Sequence, residues 1–234
     1  MTTFVLVHGA WGGSHGFRHV RRLLRSEHHD VSTPCLTGVG ERIHLSSSLV
    51  GLGTHIRDVV NHVLYEDLDN IVLVGFSYGG FVVTGALAHI AERISHLVYL
   101  DAFVPNNGES VRSHLGREAL PRIGLGQDWV VTGPVREFDS PAEAAWMAAR
   151  RTTHPQGCFT EPVFLSQPLE SFPFTRTYIK ATLAPENDIG NEAFWRAARR
   201  AKGSSAWRYQ EIATNHMVAN NKPEELARLL ADIA

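Results

Sequence analysis

The 234-residue chain is 44% hydrophobic, 9% aromatic and 20% charged, and its 22 basic and 24 acidic side chains leave a formal charge of -2. That balance suits one soluble globular domain; it excludes a disordered chain and offers no basic excess to hold a nucleic-acid backbone. With two cysteines, Cys35 and Cys158, no apolar stretch near the roughly 20 residues a bilayer needs, and no signal-peptide pattern, a cytoplasmic protein with free thiols and no membrane partner is expected.

Thr3 to His8 is a short apolar, β-branched run ended by Gly9, which predicts a buried strand. Ser14 is placed to cap a helix with Phe17, Val20, Leu23 and Leu24 on one face, and His29 to Thr33 reads as a second strand. A loop rich in Gly and Ser leads to Thr54, read as the cap of a helix that runs to Tyr65 and buries Ile56, Val59, Val60 and Val63. Asn70 to Gly75 is a strand, Tyr78 to Arg93 a helix, and His96 to Asp101 a strand. Residues 102–175 lose this regularity, being rich in Pro, Gly and aromatic side chains, with a helical stretch near Pro141 to Arg151. Alternation resumes with strand Arg176 to Ala181, helix Asn191 to Lys202, strand Ala206 to Ile212 and a helix from Pro223 to Ile233. The pattern predicts an α/β fold: a mostly parallel six-stranded sheet with helices on both faces. Its core is assigned to residues 1–103 and 176–234, with 104–175 an inserted cap.

In such a sheet, ligands bind beyond the carboxyl ends of the strands, so chemistry is sought in the turns there. Gly75-Phe76-Ser77-Tyr78-Gly79 has the form G-x-S-x-G between a predicted strand and a predicted helix, the setting of an exposed nucleophilic serine. A serine hydroxyl needs a base, and His216, between the last strand and the last helix, is placed to act as one. A developing oxyanion needs fixed amide donors, for which Tyr78 and Ala10 are the candidates. The chain holds 13 histidines, but no H-E-x-x-H and no paired Cys-x-x-Cys, so no metal is expected. His8 reads as structural, bracing the turn after the first strand. No dinucleotide or P-loop glycine pattern is matched, and no cofactor is expected.

His8-Gly9-Ala10-Trp11, the elbow around Ser77, Leu100-Asp101-Ala102-Phe103-Val104-Pro105 and the His216-Met217 turn together resemble the α/β-hydrolase superfamily. The nearest branch holds plant methyl-ester esterases, hydroxynitrile lyases and their bacterial relatives. The resemblance implies the α/β-hydrolase fold and a cofactor-free serine hydrolase. It also raises the question of the acid that orients His216. Plant members place an aspartate where Ala184 aligns here, and alanine cannot serve. Asp101 is favoured, because a turn at the sheet end is held by rigid backbone; Glu186 and Asp188 stay open as alternatives.

The lyases of this branch place a lysine directly after the catalytic histidine, where this chain has Met217, and dehalogenases and epoxide hydrolases carry an aspartate where this chain has Ser77. An esterase is therefore expected, acting on a small hydrophobic or aromatic ester, with a related acyl bond or a receptor-like member of little turnover as alternatives. Trp11, Met217, Phe103 and Trp129 are candidates to line the substrate pocket. A small molecule is the expected partner, and a homodimer is left open.

Overall fold

The structure, a computed structural model, describes residues 1–116, 129–183 and 190–233. Six strands, β1 (Thr3–Val7), β2 (Asp30–Ser32), β3 (Ile71–Phe76), β4 (Ile94–Leu100), β7 (Thr175–Ala181) and β8 (Arg208–Ile212), form one sheet in the order β2-β1-β3-β4-β7-β8. Every neighbouring pair is parallel. This is the parallel six-stranded α/β sheet expected from the alternation of strand and helix patterns, and it agrees with the α/β-hydrolase fold that the resemblance implies.

Both faces of the sheet are covered, which explains why its inner strands are apolar at consecutive positions rather than at alternate ones. Side chains one apart point to opposite layers. Phe4, Leu6, Val72, Val74, Val98 and Leu100 pack with Phe17, Val20 and Leu24, and with Leu226 and Leu230. Val20 and Leu24 come from α1 (Arg18–Ser26), Phe17 from the 3-10 turn just before it, and the two leucines last named from α9 (Pro223–Ala231). Val5, Val7, Leu73, Leu97, Tyr99 and Tyr178 face the other layer. There they meet Val59 and Val63 of α2 (Leu52–Tyr65), Phe81 and Val82 of α3 (Gly79–Ile90), and Phe194 and Ala198 of α7 (Asn191–Lys202).

Two predicted helix caps are not used. Ser14 opens a single 3-10 turn that precedes α1, and its hydroxyl bonds the Glu41 carboxylate instead. Thr54 lies inside α2, whose N-cap is Gly51. In both cases the chain direction is set by packing of the helix face, which outweighs the approximately 1 kcal/mol of a side-chain cap.

The connection between β4 and β7 carries α4 (Val111–His114), α5 (Pro141–Ala148) and α6 (Gly157–Thr160). It also carries an antiparallel ribbon that periodicity did not foresee, β5 (Val130–Val131) against β6 (His154–Pro155). Short β5 and β6 leave no alternation to read. The connection is tied to the carboxyl end of the sheet: Trp11 Nε1 donates to Val131 O at 2.9 Å, the Thr152 amide donates to Trp11 O at 3.2 Å, and Asn215 Nδ2 donates to Glu137 O at 3.2 Å. After β8, the short helix α8 (Val218–Asn221) precedes α9.

Candidate active site

Between β3 and α3 the chain turns on Ser77, which has φ 56, a left-handed conformation that costs a non-glycine residue about 1–3 kcal/mol. Glycines around it make the turn feasible. A Cβ on Gly75 would lie 2.7 Å from Val83 Cγ2, one on Gly79 would lie 2.7 Å from Val7 O, and one on Gly80 would lie 2.0 Å from Phe103 O. The Ser77 carbonyl is fixed by the Gly80 amide at 3.1 Å and the Phe103 amide at 3.2 Å, so the side chain is held at the head of α3.

Three predicted residues meet there. His216 Nε2 lies 3.0 Å from Ser77 Oγ, and His216 Nδ1 lies 2.7 Å from Asp101 Oδ2. A carboxylate only accepts, so Nδ1 carries the proton and Nε2 presents its lone pair to the serine hydroxyl. All three are buried. The imidazole is gripped between two rings, Phe194 stacked at 4.9 Å and 9° and Phe76 at 4.8 Å and 32°. Glu186, Asp188 and Ala184 lie outside the described residues.

Asp101 is itself in a left-handed conformation, φ 38, with its amide bonded to Ile179 O at 2.7 Å. Its second oxygen accepts from Lys180 Nζ at 2.6 Å and from the Ala181 amide at 3.3 Å. Burial pushes this carboxyl up, but the hydrogen bond from His216 and the Lys180 ammonium outweigh it and hold it below its usual range. Lys180 is fully buried, donates also to Ala181 O at 2.6 Å, and sits 4.6 Å from the Trp195 ring centroid. Sequence reading missed it. The signal was a lysine inside a strand otherwise read as buried, a position that requires a counter-charge.

The turn after β1 packs on the serine: a Cβ on Gly9 would lie 2.9 Å from Ser77 Cβ. Among the described residues, neither the Ala10 nor the Tyr78 amide donates to a protein acceptor, leaving both free for a ligand. His8 braces this turn, as read from the sequence: Nδ1 donates to Gly9 O at 2.8 Å and Nε2 accepts the Leu36 amide at 3.1 Å. Burial pushes its pKa down to about 4, so it is neutral.

Two cavities meet at Ser77, sharing Ala10, Trp11 and Arg136 in their walls. One continues past His216 and Met217, the other past Tyr78, Phe103 and Phe194. Trp11, Met217 and Phe103 thus stand where pocket residues were expected. Trp129 does not: it lines neither cavity, and its carbonyl accepts the Gln156 amide at 2.8 Å beside the β5/β6 ribbon. Aromatic residues serve packing as readily as binding, and composition cannot separate the two uses.

Histidine spacing also overlooked a buried group drawn from separate segments, His55, His154 and Cys158, whose ligand-type atoms lie within 4.8 Å of one another. Most of its atoms are committed to hydrogen bonds. His55 Nε2 donates to Thr37 O at 2.8 Å, which leaves Nδ1 to accept from Tyr78 OH at 3.0 Å. His154 Nδ1 accepts the Trp11 amide at 3.3 Å, and burial pushes the Cys158 thiol up to about 12. Through these bonds the group holds Tyr78 and Trp11 in place.

A family described as "Alpha/beta hydrolase family" matches residues 4–229. The chain belongs to that family. Within it, this alpha/beta hydrolase is 50% identical over 123 residues to a carbendazim hydrolyzing esterase of Nocardioides sp. (strain SG-4G), covering 53% of this chain and 51% of that protein. It is 33% identical over 129 residues to a pheophorbidase of Raphanus sativus, covering 54% of this chain and 47% of the other. The matched region thus spans about half the length of these curated relatives. Among solved structures, an extracellular alpha/beta-hydrolase from a Paenibacillus species superposes with a TM-score of 0.80 at 23% identity, over 99% of this chain and 98% of that one. At that identity the likeness concerns the fold of this alpha/beta hydrolase. Among its described residues, no helix is long and apolar enough to cross a membrane.

Proposed function

We propose that this protein is a serine hydrolase that cleaves small, largely hydrophobic or aromatic carboxylic esters through an acyl-enzyme. The observation that carries the reading is the hydrogen-bonded series Ser77, His216, Asp101 at the junction of two cavities. Ser77 Oγ attacks the acyl carbon as His216 Nε2 takes its proton. Asp101 holds the imidazole in the required tautomer and stabilises the imidazolium. The amides of Ala10 and Tyr78 receive the oxyanion, and His216 then protonates the leaving oxygen. Water, deprotonated by His216, attacks the acyl-enzyme and frees Ser77.

The same steps cleave carbamates, thioesters, lactones and activated amides. Similarity to a carbendazim hydrolyzing esterase over half the chain makes carbendazim an early substrate to assay.

Hydrolysis of 4-nitrophenyl acetate by the purified protein, and its abolition in Ser77→Ala, tests the reading. An absence of turnover together with no fluorophosphonate labelling of Ser77 would favour a receptor-like member of the family.

A further inference from the structure

Ala10, whose amide is a candidate oxyanion donor, has a different support on each side. On its amino side the core acts: His8 Nδ1 donates to Gly9 O at 2.8 Å, and Gly9 O shares a peptide plane with the Ala10 N–H. On its carboxyl side lies Trp11, with φ 61. A bulky residue keeps that left-handed conformation only where its surroundings impose it.

Those surroundings belong to the β4–β7 connection. The Trp11 amide donates to His154 Nδ1 at 3.3 Å, its carbonyl accepts the Thr152 amide at 3.2 Å, and its Nε1 donates to Val131 O at 2.9 Å. The indole also stacks on Phe159 at 5.5 Å and 28°. Among the described residues, the His154 bond is the one that grips the Ala10–Trp11 peptide itself. With the Gly9–Ala10 plane held by His8 and the next plane held by His154, both backbone torsions of Ala10 are set, and with them the direction of its N–H.

His154 is suited to this bond rather than to packing alone. It is fully buried, and burial together with the nearby His55 and His8 holds its pKa well below the ordinary range, so the ring is neutral. Accepting on Nδ1 places its proton on Nε2, a buried atom with no hydrogen-bond partner among the described residues. An unmatched buried donor is destabilising, and a phenyl ring among the same neighbours would not carry one.

We infer that His154 is a positioning residue for the oxyanion donor: from the β4–β7 connection it fixes the peptide beside the Ala10 amide, in the wall that both cavities share with Ser77. His154 lines neither cavity, so it acts through Trp11 and not on the substrate. Such a donor stabilises the transition state to the extent that it is aimed in advance. The inference rests on the hydrolase reading above and gives the connection a part in catalysis beyond covering the site.

Two ligands of one shape test it. 2,2,2-Trifluoroacetophenone adds to a serine: Ser77 Oγ bonds to the carbonyl carbon, the π pair moves onto oxygen as an oxyanion, and the hydroxyl proton passes to His216 Nε2. Its alcohol, 2,2,2-trifluoro-1-phenylethanol, has no carbonyl and binds without adding. His154→Phe keeps a ring and removes the acceptor, whereas His154→Asn loses the ring and keeps an acceptor close to the Nδ1 position. In His154→Phe, kcat for 4-nitrophenyl acetate should fall by about 10- to 100-fold with KM within about twofold, less than the roughly 100- to 1,000-fold of losing a donor outright. The Ki of the ketone should rise by the same factor and that of the alcohol should stay within about twofold. His154→Asn should recover most of both losses. If His154 only packs, the Asn variant is the worse of the two, or ketone and alcohol weaken together; either result overturns the inference. Should His154→Phe fail to fold, His154→Asn against His154→Ala decides, since only the first keeps an acceptor, and equal ketone Ki values in the two overturn it. Wild-type turnover matched by folded His154→Phe refutes the positioning role alone. No turnover and no ketone adduct by 19F NMR in the wild type refutes the hydrolase reading, and this inference with it.

Discussion

Replacing Lys180 by methionine keeps most of the side chain's bulk and removes the charge that shares Asp101 with His216. The contact is short, 2.6 Å, and both partners are fully buried, so the variant leaves a carboxylate without its counter-ion. Breaking such a pair costs about 3–5 kcal/mol, which lowers Tm by roughly 6–20 °C in a domain of this size. The effect on chemistry is separable from this. Ammonium and imidazole bond opposite oxygens of one carboxylate, and two unit charges roughly 5–7 Å apart interact by ~2–3 kcal/mol at an effective dielectric near 20. In the native protein that repulsion disfavours the imidazolium. Without it His216 holds its proton to higher pH, and because the free base is the active form, the acid limb of kcat/KM moves up by about 1–2 pH units. Asp101 keeps the Ala181 amide and the imidazole as donors and so remains ionised near neutrality. The assay is a pH-rate profile from pH 4 to 9 with a neutral aryl ester, run at a temperature where both proteins are folded. An acid limb that stays in place or moves down would refute the reasoning, even if the variant were unstable.

Asp101→Asn should lower kcat by about 100- to 10,000-fold with little change in circular dichroism, because an amide stabilises neither the correct tautomer nor the imidazolium; near-normal turnover would return the acid to Glu186 or Asp188. Gly80→Ala places a methyl 2.0 Å from Phe103 O, and should cost about 1–3 kcal/mol, measured by urea unfolding, with a loss of activity as the elbow shifts. Stability should fall on acidification. His8 is held neutral by burial with its pKa lowered to about 4, and His55 is pushed down for the same reason, so between roughly pH 6.5 and 4 the unfolded chain binds protons that the folded chain does not. Each such histidine contributes on the order of 3 kcal/mol across that window. A Tm constant from pH 7 to 4.5 would contradict it.

The arrangement of strands and helices was legible because burial on both sheet faces imposes local patterns, and the glycines of the elbow were legible because only a residue without a side chain passes so close to Val7 O and Phe103 O. Ser77 and His216 could be picked out for the same reason: a topology of this kind leaves few turns at the carboxyl ends of its strands. The count of 13 histidines invited a different reading. Spacing along the chain argued against metal, yet could not show that His55, His154 and Cys158 converge, or that both nitrogens of His55 are spent on Thr37 and Tyr78 and one nitrogen of His154 on Trp11.

By itself, then, the amino-acid sequence determined the fold class, the turn that carries the candidate nucleophile and the candidate base, all of which depend on residues close in the chain. Asp101 was one of three carboxylates that sequence could offer; its position against His216 is a distance across 115 residues, which only the packed chain decides. The same is true of Lys180, whose counter-ion lies 79 residues away. Local patterns record which side chains must be buried; tertiary structure decides which charges are buried together, and that pairing tunes the site.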